Sequence, residues 1–259
     1  MKSKKNKPEN AELIYKRDFP LYEINIEDIK VDKKVLHDEL NSKVWKDYNI
    51  NPVIRERLLK IAYEFYNFLD LPIPLEDIIL TGSLANFNYT RYSDFDVHLL
   101  VNFQKINPDL KLVKEFFNAK NLIWSLKHDI KIENFPVQLY VQDVNEKHHS
   151  KAIFSLKDNK WLSKPIYEDF EVDTDVLKAK IKKVIDKIEA LDKYKTNQEM
   201  LYIYAKDLKD QIMNMRQSGL EKGGELSIEN LAFKYLRNGG YIEKLKNVIA
   251  SSFDKIHSI

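Results

Sequence analysis

An α+β chain, a small mixed sheet with helices followed by a C-terminal helical bundle, is predicted by three observations. Short runs rich in Ile, Val, Leu and Phe stand at 78–80, 95–103 and 136–142. An amphipathic pattern over Leu110–Leu126 lies between the second and third. Strand, loop, strand, helix, strand is the order of a mixed sheet core. After Pro165 the period becomes helical, with Leu177, Ile181, Val184, Ile185, Ile188 and Leu191 on one stripe.

The elements follow in order. Residues 1–12 are rich in Lys, Asn and Glu with little to bury, and read as a disordered tail. Signals are mixed between 20 and 50, apart from a short amphipathic piece at Val35–Leu40. Pro52 suits a first helical turn; Ile54, Leu58, Ile61, Phe65 and Leu69 follow at helical spacing, and Pro72 and Pro74 end the helix. Ile78-Ile79-Leu80 is a buried strand running into Gly82-Ser83. Phe95–Phe103 (FDVHLLVNF) is the second strand and Pro136–Gln142 (PVQLYVQ) the third. Ala152–Leu156 and Trp161-Leu162, around Lys157-Asp158-Asn159-Lys160, form a closing hairpin.

In the second half, Leu201, Ala205, Leu208, Ile212 and Met215 make a second stripe, stopped by Gly219 and Gly223-Gly224. Ser227 caps a third helix that carries Ile228, Leu231, Ala232, Tyr235 and Leu236 and ends at Gly239-Gly240. A fourth runs from Tyr241. The expected division is a tail (1–12), an α/β domain (13–165) and a helical domain (166–259).

With 42 basic and 40 acidic residues among 259, the net charge of +2 gives no mandate for binding duplex nucleic acid. The absence of cysteine removes disulfides, thiolate metal sites and thiol nucleophiles, and fits a reducing compartment. No apolar run approaches the roughly 20 residues that span a bilayer, and MKSKKNKPEN has no apolar h-region. A cytoplasmic protein without membrane contact is expected. GxxxxGK and GxGxxG are both missing, which argues against a P-loop ATPase or a Rossmann dehydrogenase.

The chemistry concentrates in Leu80–Val101, LTGSLANFNYTRYSDFDVHLLV. Gly82-Ser83 closes one strand and, ten residues later, Asp94-Phe95-Asp96 opens the next. Alternate residues of a strand share a face, so Asp94 and Asp96 present two carboxylates together. Mg²⁺ favours carboxylate and phosphate oxygens, and paired aspartates can hold two such ions around an in-line phosphoryl displacement. Gly82 permits close backbone approach, while the Ser83 hydroxyl and nearby N–H groups suit phosphate oxygens. An Asp-x-Asp pair alone is usually a solvated strand end; the preceding Gly-Ser and the apolar flanks shift the balance to function.

Gly82-Ser83, the ten-residue gap and Asp94-Phe95-Asp96-Val97 resemble the signature of the DNA polymerase beta-like nucleotidyltransferases. Much of residues 35–245 is similar to a phage and bacterial branch of them, through LNSKVW (40–45), TGSLANFNY, SDFDVHLLV, WSLKHDIKI (124–132), VQLYVQD (137–143), KWLSKP (160–165) and SIENLAFKYLRNGGY (227–241). The resemblance implies a palm sheet, a helical domain, an NTP such as ATP, and two Mg²⁺ ions, with Mn²⁺ an alternative. It implies transfer of a nucleoside monophosphate to an acceptor: an RNA 3′ end, a second nucleotide, a small molecule or a protein side chain.

One position departs. The resemblance implies a third acid at the second residue of VQLYVQD, where this chain has Gln138. An amide is nearly isosteric with the carboxylate but neutral, so it binds a metal poorly and cannot serve as a base. Glu133 and Asp143 are each an odd number of residues away and fall on the opposite face of a regular strand. Three readings stand at this point: an engineered substitution that traps nucleotide, a natural loss of activity, or a different placement of the strand.

Other residues carry paired readings. His98 shares the carboxylate face, as a phosphate contact or as a hydrogen-bonded histidine of the sheet. Asn86, Asn88, Tyr89 and Arg91 lie in the loop over the triphosphate, with Asn86 and Arg91 the nucleotide-binding candidates. Lys127-His128-Asp129 ends a helix before the third strand. His148-His149 point apart in an extended chain, which disfavours a shared metal. Lys178, Lys180, Lys182, Lys183 and Lys187 form a basic stripe, either solvated or guiding a polyanion. Phe233, Lys234, Tyr235 and Arg237 fit a base- or phosphate-contacting helix, or the core.

Overall fold

The computed structural model describes residues 36–148, 150–167 and 170–258. The expected tail (1–12), most of the mixed N-terminal stretch and His149 lie outside them. The chain is α+β, with its C-terminal part helical. It divides into two compact units, one ending at Phe170 and the other beginning at Glu171.

In the sheet unit, helix α1 spans Pro52–Leu69. Asn51 caps it by accepting from the Val53 N–H at 3.0 Å, and Ile54, Leu58, Ala62, Phe65 and Leu69 form its buried stripe. Ahead of it, β1 (Trp45–Lys46) and β2 (Asn49–Ile50) make a small hairpin turning on Asp47 and Tyr48, both at positive φ. No periodicity announces a hairpin this short. Residues 36–40 form neither helix nor strand.

The main sheet comprises β3 (Asp77–Thr81), β4 (Phe95–Val101), β5 (Lys131–Ile132), β6 (Phe135–Asp143), β7 (Ile153–Ser155) and β8 (Lys160–Ser163). Their order is β5-β6-β4-β3-β7-β8, and all pairs are antiparallel except β4 with β6. A parallel pair needs a crossover, supplied by α2 (Leu110–Lys127). Helix α1 packs against β4 and β6 and α2 against β6, with Phe65 edge-on to Trp124 at 5.3 Å. Strand β4 stops at Val101, two residues before the expected end. There Asn102 caps a 3₁₀ turn, and the Phe103 N–H donates to the buried Asp143 carboxylate at 3.3 Å.

The helical unit contains α3 (Thr174–Glu189), α4 (Gln198–Gly223), α5 (Ile228–Asn238) and α6 (Tyr241–His257). Gly219 does not stop α4, which continues to Gly223 and ends where Gly224 takes φ +68°. A Cβ on Gly219 would lie 2.5 Å from the Glu229 Cβ and 2.8 Å from the Ser227 Oγ, so this glycine sets how closely α5 approaches. Arg216 of α4 places its guanidinium 4.4 Å from the centre of the Phe233 ring and donates to the Asn230 Oδ1 at 3.3 Å. Phe233 is thus a core residue, not a base contact. Lys180 pairs with Glu229 and holds that carboxyl below its ordinary range. Lys187 donates to Gln211 at 3.2 Å, so two members of the basic stripe are tied within the bundle.

Candidate active site

The site begins with the turn after β3. Gly82 has φ +76°, a conformation that side chains resist. A Cβ there would lie 1.9 Å from the Asp96 Oδ2 and 2.9 Å from its Cγ. The Asp96 carboxylate therefore packs directly over the Gly82 backbone, and glycine is required twice, for its dihedral and for its lack of volume. Ser83–Ala85 then form a 3₁₀ turn, closed by the Ala85 N–H on the Gly82 carbonyl at 3.2 Å and the Asn86 N–H on the Ser83 carbonyl at 3.1 Å.

That turn is braced from two sides. The buried Trp45 donates its indole N–H to the Leu84 carbonyl at 2.7 Å, stacks on Trp161 at 4.6 Å and meets Phe154 edge-on at 5.1 Å. The Ser83 and Ser93 hydroxyls are 2.7 Å apart, and the buried Ser93 also accepts from the Thr90 N–H at 2.9 Å. Ser83 is thus tied to the residue immediately before Asp94. His37 supports the intervening loop: it stacks on Tyr89 at 3.9 Å, and its backbone N–H donates to the Phe87 carbonyl at 2.8 Å.

Register defines the rest. Asp96 pairs with Thr81 on β3 and with Gln138 on β6, so Gln138 stands directly beside Asp96 on the same face. This removes the alternative in which the strand was misplaced. Asp94 lies half-buried at the mouth of β4, Asp96 is half-buried and Gln138 is exposed. Asp143 pairs with Val101 and accepts from the Phe103 N–H after β4 and from the Asn145 N–H in the turn after β6, while Glu133 sits in the β5–β6 turn at φ +51°. Neither joins Asp94 and Asp96. Among the described residues no group of three or more Asp, Glu or His side chains is placed to hold a metal ion.

A polar row continues along this face. Tyr140, paired with His98, donates its hydroxyl to the Gln138 Oε1. The His98 Nδ1 meets the Gln142 Oε1 at 2.8 Å, and the Gln142 Nε2 meets the His148 Nδ1 at 3.2 Å. An amide oxygen only accepts, so His98 donates from Nδ1. Burial lowers the His98 pKa, opposed in part by the Gln142 hydrogen bond. Both readings of His98 keep their footing: it shares the face and is hydrogen-bonded within it.

Not every candidate joins the cluster. The exposed Arg91 bonds the Tyr92 hydroxyl and lies 4.6 Å from the centre of that ring. Asn86 accepts from the Phe87 N–H at 2.8 Å. His128 caps α2 and packs on Trp124 at 4.1 Å. Ser93, Tyr140 and Gln142 are the residues that sequence reasoning passed over. Period-two counting from Gln138 finds the last two, and Ser93 adjoins Asp94; Trp45 carries no local signal.

Asp94 and Asp96 are the groups present that fit a hard divalent cation: two carboxylates at the open end of a strand, with a glycine backbone beneath one of them. The amide at 138 is a poor third donor.

No family model matches the chain, and no curated protein does. Among solved structures, a STING-associated CdnE c-di-GMP synthase from Capnocytophaga granulosa matches with a TM-score of 0.23 and 11% identity, over 80% of this chain and 84% of that one. What the site can do is therefore read from its own residues. Among the described residues, no helix is long and apolar enough to cross a membrane.

Proposed function

We propose that this chain is a nucleotidyltransferase that moves a nucleoside monophosphate from an NTP to an acceptor hydroxyl, and that Gln138 holds its rate down. The observation that carries the reading is the close set of Asp96 over Gly82 with Gln138 beside it in register. In the reaction the acceptor oxygen bonds to the α-phosphorus, the bond to the bridging oxygen breaks and pyrophosphate leaves. Asp94 and Asp96 hold Mg²⁺, which supplies charge neutralisation when bound. Gly82 and Ser83 seat the triphosphate. With no carboxylate at position 138, the acceptor's proton passes to solvent water, a weaker base, which slows attack. Positioning and charge neutralisation are the main sources of rate in such a site.

The test is Mg²⁺-dependent pyrophosphate release from each of the four NTPs, with small RNAs, nucleotides and small molecules as acceptors. The native chain, Gln138→Glu, and Asp94→Ala/Asp96→Ala in that background are compared. Gln138→Glu is expected to raise release by at least about 100-fold, the usual worth of a positioned base, and loss of the aspartates to abolish it. A second readout is independent of turnover. A third carboxylate beside Asp96 adds repulsion that a divalent cation relieves, so Mg²⁺ is expected to raise the melting temperature of Gln138→Glu more than that of the native chain.

A second reading is a silent nucleotide-binding module, favoured by the Tyr140 hydroxyl already bonded to the Gln138 oxygen. It predicts NTP binding without pyrophosphate release even from Gln138→Glu.

A further inference from the structure

Helix α2 carries two apolar stripes. Val113 and Phe117 are buried, and Trp124 packs on Phe65 of α1. Roughly a third of a turn around the cylinder, Leu112, Phe116, Ala119, Ile123 and Leu126 recur at intervals of four, three, four and three residues, all exposed, with Leu122 alongside. Exposures of 55% for Leu112, 42% for Phe116, 61% for Leu122, 44% for Ile123 and 47% for Leu126 show how much is uncovered. Four branched aliphatic side chains and one aromatic ring exposed to this extent leave on the order of 500 Å² of apolar surface open.

The stripe is self-complementary. Ala119 lies at the midpoint of Leu110–Lys127, with Phe116 and Ile123 flanking it and Leu112 and Leu126 outermost. Reversing the helix about Ala119 sets Leu112 against Leu126, Phe116 against Leu122, and Ala119 against itself. That is the requirement of a two-fold interface, in which one patch meets its own copy. The smallest side chain sits at the crossing, where the backbones come closest, and the largest sit on either side, where the axes diverge. A stable dimer needs about 800 Å² per partner. The stripe supplies more than half, and the aliphatic stems of Lys111, Glu115 and Lys120 at its rim extend it.

We propose that α2 is a homodimer interface, two copies crossing antiparallel at Ala119. The surface belongs to the helical side of the sheet, so the proposal stands or falls apart from any nucleotide chemistry. The chain has no cysteine, which makes the crossing directly testable. Ala119→Cys in the full chain is expected to form an intermolecular disulfide on mild oxidation. Lys178→Cys, an exposed position in the helical unit, is the control and is expected to crosslink far more slowly. In sedimentation the native chain is expected near 61 kDa, twice its 30.7 kDa. Leu112→Glu/Ile123→Glu is expected to weaken association by at least about 30-fold, as loss of interface anchors does. A native chain that stays monomeric up to sub-millimolar concentration overturns the proposal. So does crosslinking of the cysteine at 119 no faster than the control. A monomer that cosediments with anionic phospholipid vesicles through this face assigns it to lipid and likewise overturns the dimer.

Discussion

Gly82 shows how much one missing side chain can decide. With φ +76° and the Asp96 carboxylate over its backbone, an added methyl is strained in dihedral and collides with the carboxylate as well. Gly82→Ala is expected to cost about 1–3 kcal/mol of stability and to displace Asp96; on the proposed function it also removes stabilisation by NTP where the chain still folds, and thermal shift with and without NTP measures both. His98 gives a pH signature. Burial lowers its pKa from the ordinary 6.5, so the unfolded chain takes up this proton at a higher pH than the folded one. Stability from this group is complete above about pH 6.5. It falls as pH drops from there through the folded value and then levels. Proton NMR of the imidazole should show a midpoint below 6.5, and His98→Gln should flatten that part of the denaturation profile.

At the scale of elements, the Gly-Ser turn is held by a residue from a hairpin far earlier in the chain. Trp45→Phe keeps the ring contacts with Phe154 and Trp161 but strands the Leu84 carbonyl, at an expected cost of about 1–3 kcal/mol in urea denaturation. Gly219 plays the corresponding part between α4 and α5. Gly219→Ala should lose about 1–3 kcal/mol through overpacking, although alanine is the better helix former. Gly223→Ala, whose Cβ would sit 3.1 Å from the Ser227 Cβ, should cost less. If alanine at 219 stabilises instead, the close approach of the two helices is not what that glycine serves.

Over the whole molecule, the sheet and the four C-terminal helices were legible because each rests on a local period of two or of 3.6, whereas the placement of Gln138 next to the paired aspartates was implied by the resemblance carried by VQLYVQD. What escaped was decided elsewhere in the chain. Gly219 looks like a stop signal unless one knows that Glu229 and Ser227 lie against it. Phe233 looks like a contact residue until Arg216 covers its ring. The brace from Trp45 to Leu84 joins segments that share no pattern. Charge is a property of the same scale. With a net charge of only +2, a long polyanionic acceptor would have little field to hold it. Excess heparin is therefore expected to leave the proposed nucleotidyl transfer by Gln138→Glu largely intact, and strong inhibition would point instead to a local basic groove.

The single parallel pair in the sheet also has a consequence in time. Gly82, Asp94 and Asp96 belong to neighbouring antiparallel strands and can meet early, since little chain must be closed to join them. Gln138 reaches Asp96 only after the whole α2 crossover has folded back. Pairings that close long loops form slowly. In refolding, the two carboxylates should be in place before their neutral neighbour, and for that interval the hairpin presents them without the amide beside Asp96.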